Sequence, residues 1–190
     1  MSGPAYELRP VGDEDASFIV ELRSDPEQAR FLQTGASNEE QQKEWLRCYF
    51  ERAADYYFVV QELSSHRAEG LVGIYNVDET RSSAEWGRWI IRRTSLAAVE
   101  SCYLVYYVGF TVLGLAEMYC RTIPENAKVI HFHSSLGLQT RRISEKSVKL
   151  GEIRYDLVEQ VMSKELWNAT GPRLLSIARR LADARTRPRP

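Results

Sequence analysis

The chain has 190 residues, long enough to bury one well-packed domain and short for two. Hydrophobic residues make up 44% and charged residues 27%, the balance of a folded protein rather than a disordered one. A formal net charge of −1 gives no overall pull toward nucleic acid or an anionic membrane. Three cysteines, Cys48, Cys102 and Cys120, are odd in number and widely spaced, which excludes a zinc spacing and a disulfide framework. Buried, reduced thiols in a cytoplasmic protein are expected instead. The first residues carry no targeting pattern, and the most apolar run, residues 102–115, is too short to span a bilayer.

In chain order, residues 6–11 read as a first strand. Asp13 is placed to cap a helix ending near Arg23, with Phe18, Ile19 and Leu22 at helical spacing. Asp25-Pro26 restarts a short second helix. Ser37 with Glu40 forms a capping box for a helix carrying Trp45, Leu46, Tyr49 and Phe50. Residues 56–63 and 71–77 read as strands joined by a polar hairpin connection that holds His66.

The centre of the chain is residues 83–138. Residues 84–91 mix Trp and Ile with single polar residues, as a buried strand does. Arg92-Arg93-Thr94-Ser95 follows, with Thr94 or Ser95 as the cap of a long apolar helix over 96–113 that ends at Gly114. Residues 118–123 form the next strand, and Pro124-Glu125-Asn126 opens a second helix. A strand–turn–helix unit with two arginines in its turn is a place to seat a pyrophosphate, because unpaired helix N–H groups and the helix dipole favour anionic charge. After Gly137 a strand (139–143), a charged turn (144–151) and a strand (152–161) are expected. Ser163 then caps a segment holding Trp167, Gly171-Pro172 breaks it, and an amphipathic helix over 174–184 ends in a tail rich in arginine: Arg179, Arg180, Arg185, Arg187 and Arg189. That tail reads chiefly as a solvated helix face.

This ordered set resembles the acetyl-CoA-binding core of the GNAT N-acetyltransferases. Gly109-Phe110, Leu113-Gly114-Leu115, Asn126 and Leu136-Gly137-Leu138 match the family's landmarks. Counting back, the family's (Q/R)-x-x-G-x-(G/A) loop falls on Arg93-Thr94-Ser95-Leu96-Ala97-Ala98, or one residue earlier with Arg92, Ser95 and Ala97 on the pattern. Leu96 stands where the first register wants glycine, and His133 stands where the family has a tyrosine. The resemblance implies an α/β (α+β) GNAT fold: a mixed sheet of six to seven strands, splayed in the middle and flanked by helices. One domain is expected, with a core over 6–162 and a helical, basic extension over 163–190. It implies acetyl-CoA as donor and a small-molecule amine as acceptor, with no nucleic acid, no membrane and no metal. A homodimer is possible in such proteins.

LRSDPEQARFL (22–32), DYYFVVQ (55–61), LVGIYNV (71–77) and SAEWG (83–87) are similar to the enzymes that acetylate an amino sugar on a nucleotide carrier, as in the pseudaminic acid pathway and surface-glycan (lipopolysaccharide) synthesis. They are more loosely similar to protein N-terminal acetyltransferases. On this resemblance Ile90 and Ile91 contact the thioester through their backbone, residues Arg92, Arg93, Thr94, Ser95, Leu96, Ala97 and Ala98 receive the pyrophosphate, and Asn126 lies beside the pantetheine arm. One of the adjacent arginines points to solvent and the other forks onto phosphate.

Glu85 is the candidate general base, since a carboxylate beside Trp86 and Trp89 is partly desolvated and its pKa rises toward the working range. Against this stands a solvent-facing Glu85, or one paired with Arg88. His133 is the candidate acid for the leaving thiol, against a satisfied core histidine. Arg23, Tyr75, Asn76, Asp78 and Trp86 are the acceptor-binding candidates, offering ring faces and cationic contacts for a diphosphate. A basic acceptor groove fits a nucleotide-sugar, and an acidic one a cationic aminoglycoside. The alternatives are the same chemistry on a protein N-terminus or aminoglycoside, and a non-catalytic acyl-CoA-binding module.

Overall fold

The computed structural model describes residues 1–33 and 35–186. Seven strands, β1 (Tyr6–Pro10), β2 (Tyr56–Glu62), β3 (Ala68–Asp78), β4 (Ser83–Ile91), β5 (Glu117–Thr122), β6 (Gln139–Leu150) and β7 (Ile153–Ser163), join in one sheet of order β1-β2-β3-β4-β5-β7-β6. Among the described residues five α-helices flank it: α1 (Ala16–Ser24), α2 (Glu39–Phe50), α3 (Ala97–Tyr107), α4 (Ala127–Ser135) and α5 (Lys164–Thr186). Among the described residues no helix is long and apolar enough to cross a membrane.

Every neighbouring pair is antiparallel except β4 and β5, the two strands linked by α3. Their parallel pairing covers Ser83↔Glu117, Ala84↔Met118 and Glu85↔Tyr119 and then stops. Beyond Glu85, β4 follows β3 as far as Ile91↔Gly70, while β5 follows β7 as far as Thr122↔Val158. The sheet is thus forked, and the fork opens immediately after Glu85.

Two cores hold the halves. On one face α3 and α5 pack on Tyr6, Val60, Ile74, Trp86 and Met118; on the other, α1 and α2 pack on Tyr57, Val59, Leu71 and Ile90. Trp86 and Ile90 lie four residues apart on one strand, so a regular pleat would put both on the same face. They serve opposite cores because β4 carries a bulge: the register with β3 shifts between Gly73↔Gly87 and Leu71↔Ile90, and Arg88 sits at φ +52°. A second bulge on β3 falls between Tyr75 and Asp78, with Asn76 at φ +52°. Asparagine tolerates that left-handed region better than most residues.

After α3 the chain passes into a π-helical turn (Val108–Val112), in which the Leu113 N–H donates to the Val108 carbonyl five residues back at 2.9 Å. Gly114, at φ +69°, ends it as expected. Gly109 leaves room for Met118, since a Cβ there would lie 2.1 Å from its sulfur.

Several expectations need correction. Asp13 caps nothing; Asp13–Asp15 is a short 3-10 turn, and Asp15 accepts the Gly12 N–H at 2.8 Å while pairing with Arg9. Asp25-Pro26 starts no helix, because the Asp25 carboxylate takes the N–H groups of Glu27 and Gln28 and closes a local turn. The cap of α2 is Asn38, one residue past Ser37, whose hydroxyl and N–H instead go to the Gln41 side chain. Residues 144–150 are not a turn but the second half of β6, which absorbs its turn-forming residues in a bulge between Ser144 and Val148 with Lys146 at φ +46°.

Gly171-Pro172 does not interrupt α5. Ser163 caps it as expected, accepting the Leu166 N–H at 3.2 Å. Trp167 anchors the helix against Tyr103, Tyr106 and Phe110, and a Cβ at position 171 would meet that indole at 3.0 Å. Arg185 pairs with Glu62 and donates to the Tyr6 hydroxyl at 2.7 Å, so it is not simply a solvated side chain. Arg187 and Arg189 lie outside the described residues. Cys102 and Cys120 are buried as expected, but Cys48 is exposed.

Candidate active site

A cavity of about 730 Å³ opens at the fork. The arms of β4 and β5 line it through Glu85 to Trp89 and Cys120 to Thr122, α4 through Asn126, Val129 and His133, and α1 and α2 through Arg23, Gln42 and Trp45. Val148, Leu150 and Leu157 of the β6–β7 ribbon add an apolar lip. The structure therefore brings together Glu85, His133, Asn126, Arg23, Tyr75, Asn76 and Trp86 from the sequence-predicted set. Asp78 is elsewhere, accepting from the Thr80 hydroxyl at 2.6 Å and the Arg81 N–H at 3.1 Å in the turn before β4.

Glu85 is 6% exposed and faces neither solvent nor Arg88. Its carboxylate accepts from Asn76 Nδ2 at 3.0 Å, Arg121 Nη1 at 3.1 Å and the Tyr75 hydroxyl at 3.4 Å. The β3 bulge is what turns the Asn76 amide toward it. Burial pushes the Glu85 pKa above the ordinary carboxylate value, and the hydrogen bond from Asn76 and the charge of Arg121 only partly offset it. Arg88 is held in a fork by Asp55 at 2.5 and 2.9 Å, with its guanidinium 4.4 Å from the centre of the Tyr75 ring.

His133 is 1% exposed and packed edge-on to Trp86, with ring centres 5.3 Å apart. Burial lowers its pKa to about 4, so the imidazole is neutral near pH 7. Among the described residues its Nδ1 is buried without a hydrogen-bond partner. The indoles beside it are fixed by their own N–H groups, Trp86 to the Tyr106 hydroxyl at 3.1 Å and Trp89 to Ser101 Oγ at 3.0 Å.

At the start of α3, Leu96 occupies the cap position and contributes no side-chain hydrogen bond. Its side chain does not plug the helix end: the residue is 48% exposed. Ser95 Oγ accepts the Ala97 N–H at 3.2 Å. Asn126, at the cap position of α4, likewise makes no side-chain cap bond, so its amide is not spent on its own helix. Arg92 is turned toward α1, pairing with Glu21 at 2.7 and 3.0 Å, whereas Arg93 is exposed. Ile90, Ile91 and residues 92–98 do not line the main cavity; Thr94, Ser95 and Leu96 border a separate hollow of about 370 Å³ with Tyr6, Glu69 and Arg185.

Sequence reasoning missed Arg121, Arg52 and Gln42. Arg121 and Arg52 line the cavity from β5 and from the end of α2. Gln42 is 4% exposed on the same face of α2 as Leu46 and Tyr49. That was a readable signal, a polar residue in the apolar stripe of an amphipathic helix.

A forked mixed sheet, with Glu85 where the strands part and the start of α4 at the opening, is the arrangement the landmarks around Gly109, Asn126 and Gly137 led us to expect. The acetyltransferase (GNAT) domain family matches residues 6–139, most of the chain. The chain belongs to the GNAT acetyltransferases. Solved GNAT structures align over nearly the whole molecule. Apo FdhC, described as a nucleotide-linked sugar GNAT, is 27% identical with a TM-score of 0.78, covering 94% of this chain and 96% of its own. Spermidine N-acetyltransferase from Vibrio cholerae, in complex with CoA and spermine, is 18% identical with a TM-score of 0.77, covering 86% and 98%, and shares the fold. No curated protein sequence matched the chain. As a GNAT acetyltransferase the protein belongs to a family whose acyl donor is acetyl-CoA.

Proposed function

We propose that this GNAT enzyme, acting as one domain, transfers the acetyl group of acetyl-CoA to the primary amine of an amino sugar carried on a nucleotide. The observation that carries this is the charge of the cavity. Among the described residues its lining holds four arginines, Arg23, Arg52, Arg88 and Arg121, against one carboxylate, Glu85. Asp55 behind the lining pairs with Arg88 and Arg52, and Glu85 and Glu159 pair with Arg121, so the unspent positive charge is that of Arg23. A polycationic acceptor such as spermidine or an aminoglycoside would be repelled there, whereas a diphosphate is attracted. Arg23 has no carboxylate partner among the described residues; it donates to the Gln33 carbonyl at 2.7 Å, which leaves its charge for a phosphate. The 27% identity to a nucleotide-linked sugar GNAT over 94% of the chain supports the same acceptor class.

The residues fit the donor. The cap residues of α3 and α4, Leu96 and Asn126, make no side-chain cap bond. Ser95 Oγ takes only the Ala97 N–H at the first, and exposed Leu96 leaves that end open to an anion. Residues 94–98 with Arg93, rather than the engaged Arg92, would receive the pyrophosphate, and Asn126 the pantetheine arm. Backbone groups of β4 past Glu85, from the Arg88 bulge to Ile91, would hold the thioester carbonyl. Acetyl-CoA supplies the activated acetyl carbon and a thiol leaving group. Glu85 draws the proton from the attacking amine, directly or through water, and burial, by raising its pKa, makes it a stronger base than a surface carboxylate. His133, neutral in its aromatic surroundings, presents an N–H to the departing sulfur instead of a full proton.

The test is release of free CoA thiol from acetyl-CoA in the presence of nucleotide-linked amino sugars, free amino sugars, spermidine and an aminoglycoside. The nucleotide-linked sugars are expected to give the highest kcat/KM. A higher value with spermidine or the aminoglycoside would overturn the acceptor assignment.

A further inference from the structure

Arg121, counted above only in the charge of the cavity, stands at the point where the fork opens. It follows the last residue of β5 that pairs with β4, Tyr119, by two positions and so lies on the same side of the strand. From there one guanidinium reaches two carboxylates. Its Nη1 donates to Glu85 Oε2 at 3.1 Å, and its Nε donates to Oε2 of Glu159, the residue directly opposite it on β7, at 3.0 Å. Glu159 is 3% exposed and is shared further, by Arg141 Nε at 2.9 Å and Arg142 Nη2 at 3.0 Å on β6. Arg141 also pairs with Glu117. A chain of charge-assisted hydrogen bonds thus runs from the carboxylate at the fork through β5 and β7 to the outer ribbon.

Resting on the reading of Glu85 as base, we propose that Arg121 is its positioning residue: bridging Glu85 to Glu159, it fixes the base at the mouth of the fork and lets Glu159 set how much of its charge Glu85 feels. The groups facing Glu85 are Tyr75 and Asn76 from β3, Tyr119, Cys120 and Arg121 from β5, and Glu159 from β7. Tyr75, Tyr119 and Cys120 are all held neutral by burial, with Cys120 pushed up to about 12. The charges near Glu85 are therefore Arg121, which favours its ionised form, and Glu159, which opposes it. The two have opposite signs, and this makes the idea sharply testable.

The experiment is the pH profile of kcat/KM for acetyl transfer in the full chain, with Glu85→Gln, Arg121→Gln, Arg121→Lys and Glu159→Gln. In Glu85→Gln the acid limb should disappear, which identifies that limb as Glu85. In Arg121→Gln it should move to higher pH by about one unit, the usual effect of removing a cation beside a carboxylate. Arg121→Lys should recover part of the shift, and Glu159→Gln should move the limb to lower pH. KM for acetyl-CoA should stay near that of the parent in all four. If the limb vanishes in Glu85→Gln yet stays put in the Arg121 and Glu159 variants, the positioning role is overturned and the base survives. A loss confined to acceptor KM, with the limb unmoved, likewise overturns it and makes Arg121 a substrate contact. If Glu85→Gln keeps the limb, the base assignment falls and the positioning role falls with it.

Discussion

Replacing Glu85 by Gln asks most of the proposed chemistry. The amide keeps the size of the carboxyl group and an oxygen to accept from Asn76 or Arg121, which now lie 3.0 and 3.1 Å away. Arg121 also retains Glu159, so no buried cation is stranded. What is lost is the capacity to take a proton. General-base catalysis contributes roughly 10²- to 10⁴-fold, so kcat/KM for the acceptor at pH 8 is expected to fall at least ~100-fold. The pH dependence follows from the direction of the shift. Burial raises the Glu85 pKa, so the parent loses activity as pH falls through that raised value, higher than a surface glutamate would give.

The same shift bears on stability. A carboxyl group whose folded pKa exceeds its unfolded one adds stability below the unfolded pKa and loses it as pH rises through the folded pKa. Above that raised pKa ionised Glu85 is therefore a cost, and there Glu85→Gln should denature in urea no earlier than the parent. Stopped-flow or plate detection of CoA thiol gives the rate, and urea melts give the stability. Activity within about threefold of the parent at saturating acetyl-CoA would refute the reasoning, because a transition-state role must appear in kcat/KM.

Three further outcomes follow from the same contacts. His133→Phe removes a buried Nδ1 that has no partner among the described residues, so stability should hold or rise by about 1 kcal/mol while kcat falls, as read by urea melts and thiol release. Glu100 is 2% exposed on α3 and accepts the N–H groups of Ala5 and Tyr6, both at 2.8 Å; Glu100→Ala should cost roughly 2–3 kcal/mol in chemical denaturation by orphaning them. Iodoacetamide at pH 8 should label Cys48 alone in the native protein by mass spectrometry, since burial pushes Cys120 up to about 12 and Cys102 higher than an ordinary thiol.

Much of the fold was legible because its signals are periodic. Alternating residues marked the strands, and Gly114 and Gly137, both at positive φ, closed the helices where the sequence places them. The misses share a cause, tertiary contacts overriding local chemistry. Gly171-Pro172 reads as a breaker, but Trp167 is buried among three aromatic rings and holds the helix through it. The charges of residues 144–150 read as a turn, but β6 lies along the sheet edge, where a charged strand is normal.

At the site, Glu85 was found because it is a carboxylate beside Trp86 and Trp89, in surroundings that imply desolvation. Its partners were not, because Asn76 and Arg121 reach it only through a bulge and through the end of the β4–β5 pairing. Both are matters of register, which a single sequence does not display. The histidine was found by position, but not its neutrality, which comes from rings distant in sequence.

The central claim is that the acyl donor lies in the opening between β4 and β5, and a crystal structure of the protein with CoA addresses it most directly. The account predicts the sulfur beside His133 just past the last β4–β5 pair, with the pyrophosphate on the first turn of α3. CoA bound with its pantetheine arm and sulfur outside the fork, touching neither Glu85 nor His133, would contradict it.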